Sequence, residues 1–315
     1  MASPINDVST NHSIDAQIHS TTDHPLMQRI LSSAIPIIRR AGEVARRIQR
    51  LGNLKVVDKG VNDFQTAADR LAQACIVRSL HRSFPNLKIV AEEDLDYEHM
   101  DFAEAERELG ISLLVNETDP SPLSHKLPSE LEAIREEELI VFVDPLDATT
   151  EYTQAFTRND PSLLHHVTVL VGIAYRGRAL AGIVYEPFGE RSPSDTHAVP
   201  ARTGRLVWAV VGLGAVGLDA AHPEALFSPS DGRRWREDPN LEAEELIVTT
   251  TRSHLTPLMT ANLKALNPSH VWHVGGAGYK VFLSCVFFRL HFLLCCRLHP
   301  VSMIIIEHSN SVFRL

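Results

Sequence analysis

"ELIVFVDPLDATTEYT", residues 138–153, sets an apolar, β-branched run directly against two carboxylates with a proline between them. The run reads as a buried strand, so Asp144 emerges at its carboxyl end, where α/β sheets commonly place ligands. Pro145 fixes its own φ, which lets Asp147 turn back toward Asp144. Carboxylates beside an exposed backbone carbonyl suit Mg2+, a hard cation that takes oxygen ligands. The Thr149 hydroxyl can hold a water there. An ordinary acidic cap on a turn is the alternative, and this stretch alone leaves both readings open.

Upstream, "VAEED" (90–94) repeats the design, with acids directly after the strand-like "LKIVA" (87–91). Glu92 is the first polar side chain off that strand. "TAADR" (66–70) places Asp69 on a helix that can pack nearby. Each alone reads as a solvated acid. Together, several converging carboxylates repel one another unless cations sit among them. The chemistry that needs such a set is two-metal phosphoryl hydrolysis, in which one ion activates water and another steadies the leaving oxygen.

The bulk numbers are compatible with this. The chain has 315 residues, 44% apolar and 22% charged, as in an ordinary globular protein with one large or two smaller domains. A net charge of −9 argues against a nucleic-acid backbone binder but not against small anions, because bound cations supply positive charge. The first 25 residues are polar, lack the apolar core of a signal peptide and read as a disordered tail. Four cysteines without metal-type spacing or a disulfide framework point to a reducing, cytoplasmic setting.

Around this centre the expected elements are mixed. Helical spacing runs from Leu26 to Leu51, with Pro36 expected to kink or interrupt it. "LKVV" (54–57) reads as a strand, and "DFQTAADRLAQACIVRSLHRSF" (63–84) as a second amphipathic helix. Residues 98–138 read as a surface helix and loops. "HVTVLVGIAYRGRALAGIVYEPF" (166–188) is a hairpin signal about a tight "YRGR" turn, and "RLVWAVVG" (205–212) is a third β-rich run. Later come the strand "LIVTTT" (246–251), a helix over 257–266 and the strand "HVWHV" (270–274). Strands and helices without strict alternation favour layered α+β or mixed α/β over a doubly wound sheet.

"GLGAVG" (212–217) formally matches the dinucleotide fingerprint G-x-G-x-x-G. That site needs a following helix and an acid ending a second strand, and the prolines downstream argue against both. His165 and His166 have no carboxylate or cysteine partner at ligand spacing and read as loop or strand-edge structure.

"DFQTAAD", "VAEEDL", "VDPLDATTEYT", "HVTVLVGIAYRGRALAGIV", "TTTRSH" and "VGGAGYK" occur here in the order and spacing of the inositol monophosphatase superfamily, and the chain resembles its bisphosphate nucleotidase branch most. The resemblance runs from about Leu26 to Lys280. It implies a layered αβαβα sandwich and Mg2+-dependent removal of the 3′-phosphate of adenosine 3′,5′-bisphosphate, with lithium sensitivity in many members. By motif position, it implies that Glu92, Asp144, Asp147 and the Leu146 carbonyl are metal ligands. Asp69 and Thr149 take the places of the groups that position and activate water. Thr251, His254, Gly276 and Lys280 fall where the nucleotide and its other phosphate are held. The implied division is a metal-binding α+β domain over 26–190 and a partial nucleotide-side domain over 191–280. A small-molecule substrate and a monomer are expected with this likeness, and the charge and the interrupted tail give the expectations of no nucleic-acid and no membrane partner. An inositol phosphate phosphatase and a catalytically dead nucleotide-binding protein are the rival readings.

After Lys280 the likeness stops. The family's W-D-x-x-A-P motif, whose aspartate is a further metal ligand, has no counterpart, since none of the three tryptophans is followed by Asp. Residues 281–315 form a divergent apolar tail in which Arg289 and His291 break the run needed for a membrane span. Either a new partner surface or a misjudged exon boundary accounts for such a tail, and the abrupt stop inside a presumptive helix favours the latter. The expectation is an incomplete C-terminal layer, loosely covered by a tail without strand alternation, and an impaired enzyme.

Overall fold

A computed structural model describes residues 23–60, 63–189, 204–217, 247–252, 255–286, 290–295 and 303–306. The chain begins with a long helix, α1 (Leu26–Leu51), followed by a small hairpin of β1 (Val57–Gly60) and β2 (Asp63–Gln65) and then α2 (Ala67–Ser83). The central sheet has the order β3-β4-β5-β6-β7-β8. Its strands are β3 (Lys88–Ala91), β4 (Leu139–Asp147), β5 (Thr168–Tyr175), β6 (Arg178–Glu186), β7 (Arg205–Val210) and β8 (Gly214–Val216). β3 runs parallel to β4, and every later neighbour is antiparallel. Short α3 (Phe102–Leu109) and several 3-10 turns lie between β3 and β4.

Period-two patterning decides which face of this sheet is covered. Leu139, Val141 and Val143 of β4 align with Val171 and Ile173 of β5 and Ile183 of β6 in one buried face. They join the buried stripes of α1 and α2 in a single core. The opposite face is less covered, with Phe142 47% exposed beside Gly172.

Pro36 does not break α1. Its missing N–H leaves the Ser32 carbonyl without a helical partner, and the Asp119 N–H donates to that carbonyl at 2.8 Å. The Ser32 hydroxyl returns a bond to the Asp119 carbonyl at 2.6 Å, and Arg39 pairs with the Asp119 carboxylate at 2.9 Å. A loop about ninety residues away thus supplies what the proline removes, and the helix stays continuous.

A second sheet has the order β10-β9-β11-β12, built from β9 (Ile247–Thr251), β10 (His270–Val274), β11 (Leu290–Cys295) and β12 (Met303–Ile306). β9 is parallel to both β10 and β11. Helices α5 (Pro257–Leu266) and α6 (Ala277–Val286) accompany it. The tail therefore contributes two strands where no strand alternation was expected, and β11 lies along β9 instead of leaving it as an edge. The "GLGAVG" segment forms the turn after β7 and then strand β8 itself, with Gly212 and Gly214 at positive φ, so these glycines close a hairpin instead of opening a helix as the dinucleotide fingerprint requires. The hairpin turn at Arg176 and Gly177 places both residues at positive φ, as a two-residue turn requires.

Candidate active site

The carboxyl ends of β3 and β4, the N-termini of three helices and the β10–α6 turn meet at one place. α4 (Thr149–Thr157) follows β4 after a single residue, Ala148, held at φ 71° and ψ 42°. That left-handed turn puts Asp147 and the Thr149 hydroxyl on the same side of the chain.

Asp69 occupies the first turn of α2 and is 1% exposed. The Thr66 N–H and hydroxyl both donate to its Oδ2, at 2.7 and 2.6 Å. The expected helix over 63–84 thus starts later, at Ala67, because Thr66 caps it and residues 63–65 pair with β1. Burial raises the Asp69 pKa to about 6, against the bonds from Thr66 and Thr149 that favour its charged form. The Thr149 hydroxyl lies 3.0 Å from Asp69 Oδ1 and 2.9 Å from the Leu146 carbonyl oxygen. Its one proton serves only one of these acceptors at a time.

Asp144 lies within reach of Glu92, whose backbone N–H donates to the Val143 carbonyl at 3.0 Å. Burial first, then the charges of Asp147 and Glu92 and a hydrogen bond with the Glu92 carboxyl, push the Asp144 pKa well above the usual carboxylate range. Two carboxyl groups hydrogen-bond to each other only when one carries a proton. The neighbouring Glu93 is buried and structural: Gln65 donates to its carboxylate, and its backbone exchanges bonds with the Gln73 amide.

Asp147 has a second role that its sequence position did not reveal. Its Oδ1 accepts the Ala277 N–H at 2.9 Å, and its Oδ2 accepts the Gly278 N–H and the Thr168 hydroxyl, each at 2.8 Å. It therefore caps α6, a hundred and thirty residues away, where a carboxylate favours the positive end of the helix. Gly276 makes the approach possible. It sits at φ +68°, and a Cβ there would fall 2.5 Å from the His166 carbonyl and 2.9 Å from Asp147 Oδ2.

Lys280 is 5% exposed on α6 and donates to the Gly276 carbonyl at 2.5 Å. Burial lowers its pKa, while Asp147 and Glu151 hold it up. Thr251 ends β9 at the same end of the second sheet, and its carbonyl lies 3.3 Å from the His273 ring. His254 lies outside the described residues. His166 packs against Tyr279 with ring centroids 4.8 Å apart, and burial lowers its pKa to about 4. It is a packing residue of the seam.

The structure thus gathers Asp69, Glu92, Asp144, Leu146, Asp147, Thr149, Gly276 and Lys280. Sequence reasoning passed over Glu151, Thr168 and Arg252. For Glu151 the available signal was its place in the first turn of the helix that follows Asp147.

Among the described residues, no three His, Cys, Asp or Glu side chains converge closely enough to enclose a metal ion. The donor chemistry nevertheless fits a hard divalent cation: carboxylates and a carbonyl only, with like charges that raise one another's proton affinity. A carboxylate has about four lone-pair sites, and Asp147 commits three to the protein, leaving one.

Comparison with known proteins identifies a family. Residues 26–283 match the model of the inositol monophosphatase family. The chain is 39% identical over 261 residues to human 3'(2'),5'-bisphosphate nucleotidase 1, covering 82% of this chain and 72% of that protein. It is 32% identical over 254 residues to the Dictyostelium discoideum protein of the same name, again covering 72% of the relative. Among solved structures, CysQ from Bacteroides thetaiotaomicron aligns over 85% of this chain and 81% of its own, at 20% identity and a TM-score of 0.47. Family membership implies a metal-dependent mechanism. The chain belongs to the inositol monophosphatase family.

Proposed function

We propose that this chain hydrolyses the 3′-phosphate of adenosine 3′,5′-bisphosphate to AMP and inorganic phosphate, with Mg2+ as cofactor. The observation that carries the reading is the Asp69–Thr149–Leu146 arrangement beside Asp144, Glu92 and Asp147. Glu92, Asp144, the Leu146 carbonyl and the remaining site on Asp147 would hold the cations. When bound, such ions lower the pKa of an attacking water and stabilise the leaving oxygen.

The protein's own groups supply the proton path. Above pH 6, Asp69 is mostly ionised and takes the Thr149 proton as a hydrogen bond. The Thr149 oxygen then faces outward as an acceptor, and the Leu146 carbonyl is left unclaimed. A water held by Thr149 presents its oxygen to phosphorus and passes its proton toward Asp69. The P–O bond to the ribose breaks and the leaving oxygen gains a proton, so water is added across that bond.

The nucleotide side is the second sheet, where Gly276 and Lys280 bring backbone donors and a cation, and where Thr251 ends β9. On this reading residues 26–190 form the metal-binding domain and 191–280 the nucleotide-side domain. Turnover of adenosine 3′,5′-bisphosphate beside an inositol phosphate separates the nucleotidase from the related phosphatase activity. Nucleotide binding without phosphate release marks the binding-protein alternative.

The direct test is phosphate release by the wild type and Asp144→Asn, each with its own tail and with a family-like C-terminus carrying W-D-x-x-A-P. The amide should abolish release in both backgrounds. The tail replacement should raise wild-type activity. Near-normal turnover by Asp144→Asn in either background removes Asp144 from the metal site.

A further inference from the structure

Glu151 is a charged side chain that the proposed mechanism does not use, yet it is 2% exposed at the seam between the two sheets. It lies in the first turn of α4, and it meets Gly275 while Asp147 meets Ala277 and Gly278, so both carboxylates reach the same turn of the second sheet. Its carboxylate packs directly on the β10–α6 turn: a Cβ on Gly275 would fall 2.5 Å from Glu151 Oε1. Two cations belong to the same turn, Lys280 through its bond to the Gly276 carbonyl and Arg252 through its backbone bond to Val274. The charges of Arg252 and Lys280 both favour its ionised form, against burial, which is the larger influence. Arg252 follows β9 and is fixed there by its N–H, which donates to the Val274 carbonyl at 3.2 Å. Its side chain is exposed, whereas Lys280 is buried. One cation thus approaches the seam from solvent and the other from within.

Two cations near one another repel and separate unless an anion lies between them. An exposed arginine, in particular, loses little by swinging into water. Resting on the nucleotidase reading above, we propose that Glu151 is a positioning residue that sets the preference for doubly over singly phosphorylated nucleotides, by holding Arg252 and Lys280 together. The phosphate that is cleaved belongs to the Asp144 side. The one that is not cleaved needs a cationic pocket of its own, and Arg252 with Lys280 forms it. Arg252 can bind a phosphate through two parallel N–H bonds, and Lys280 adds a point charge. Glu151 itself does not touch the substrate.

The test uses the full chain with Mg2+ and two non-hydrolysable probes measured by calorimetry. Both are adenosine 3′-methylenephosphonates, one carrying a 5′-phosphate and one lacking it. Wild type should bind the 5′-phosphorylated probe more tightly. Glu151→Gln, which keeps the shape but not the charge, should weaken that probe about tenfold and the other less than about twofold. Arg252→Gln should do the same, and the double variant should be no worse than either single one, since the three groups act as a unit. Glu151→Asp should recover part of the preference. Equal weakening of both probes, tighter binding by Glu151→Gln, or additive losses would overturn the inference. Should Glu151→Gln fail to fold, Arg252→Gln decides alone: a loss confined to the 5′-phosphorylated probe supports the inference, and any other pattern overturns it. A wild type that binds both probes equally defeats this inference but leaves the functional reading standing. Binding of neither probe defeats both.

Discussion

The two sheets differ in how they hold their functional groups. On the central sheet, Asp69, Glu92, Asp144 and Thr149 are placed by bonds made among residues 65–149 and by a core that α1 and α2 share with β4–β6. Over residues 248–252 and 255–282 of the second sheet and its helices, the buried apolar side chains are Val248, Met259 and Phe282. Lys280 and Gly276 are held by a polar seam: Asp147 capping α6, Glu151 against Gly275, and Arg205 lying 4.5 Å over the Phe282 ring while paired with Glu186. The first half of the site is preorganised by packing, the second by a few charge-assisted bonds across a boundary. Such bonds are strong but few, so losing one partner is felt sharply.

The largest expected effect follows at Asp147. Asp147→Asn keeps the volume but presents an N–H2 group to one of the two α6 amide donors. In chelator, so that cation loss is not the cause, hydrogen exchange should show residues 277–286 losing most of their protection. The β4 amides over 139–143 should keep theirs. A charge-assisted cap of this kind is worth on the order of 2–3 kcal/mol, enough to open a marginally held helix. Equal loss in both segments would mean that the halves unfold as one unit and that the contrast drawn here is false.

A second effect, spread over several pH units, concerns the pH dependence of stability. Burial raises Asp69 from its ordinary 3.8 to about 6, and raises Glu186 from 4.5 to about 7. The folded state therefore binds more protons than the unfolded one between those values, so stability falls as pH rises. The favourable contribution is complete below pH 4 and is lost through pH 6 for Asp69 and through pH 7 for Glu186. At about 1.4 kcal/mol per unit, each is worth at most about 3 kcal/mol. Urea midpoints in chelator should decline from pH 4.5 to 7.5. Asp69→Asn should flatten the lower part of that decline and Glu186→Gln the upper. Added Mg2+ should restore stability more at pH 7.5 than at 4.5. His166, whose pKa burial lowers to about 4, contributes the opposite slope between pH 4 and 6.5, so the decisive comparison is with the variants: if Asp69→Asn and Glu186→Gln leave the pH dependence unchanged, neither carboxyl is perturbed.

What was legible in the sequence divides only partly along the same boundary, since β9, α5 and β10 of the second sheet were readable too. The strands over 88–91, 139–147, 168–186 and 205–210 were readable because β-rich runs end at acids, turns or glycines. Asp69, Glu92, Asp144 and Asp147 stood out because each follows such a run or opens a helix. The continuity of α1 through Pro36 was not legible, because the compensating donor comes from Asp119. Nor was the capping role of Asp147 or the burial of Glu151, since their partners lie beyond residue 250. The strands β11 and β12 were missed because their pairing with β9 and each other, not their own alternation, defines them. Local pattern reveals groups that local structure holds, and the seam is held at long range.

The smallest effect tests the hinge where the halves meet. Ala148 is a non-glycine residue at φ 71°, between the last residue of β4 and the first of α4. A side chain there meets the carbonyl oxygen that follows it, a conformation costing roughly 1–2 kcal/mol. The turn persists because both flanks over-determine it: Asp147 is fixed by three donors, and Thr149 by Asp69 and Leu146. Replacing Ala148 with glycine removes the clash without moving either neighbour. The loss of one partly buried methyl and a looser unfolded chain offset some of the gain. The net expectation is a rise in stability of up to about 1 kcal/mol, read as a higher urea midpoint with an unchanged slope. Hydrogen exchange at 277–286 should stay as in the wild type, because the Asp147 cap is untouched. If Ala148→Gly instead destabilises the protein or loosens α6, the alanine is what aims Asp147 across the boundary. The strain would then be part of how the second sheet is held, and the division between a packed half and a tethered half would have to be redrawn at this residue.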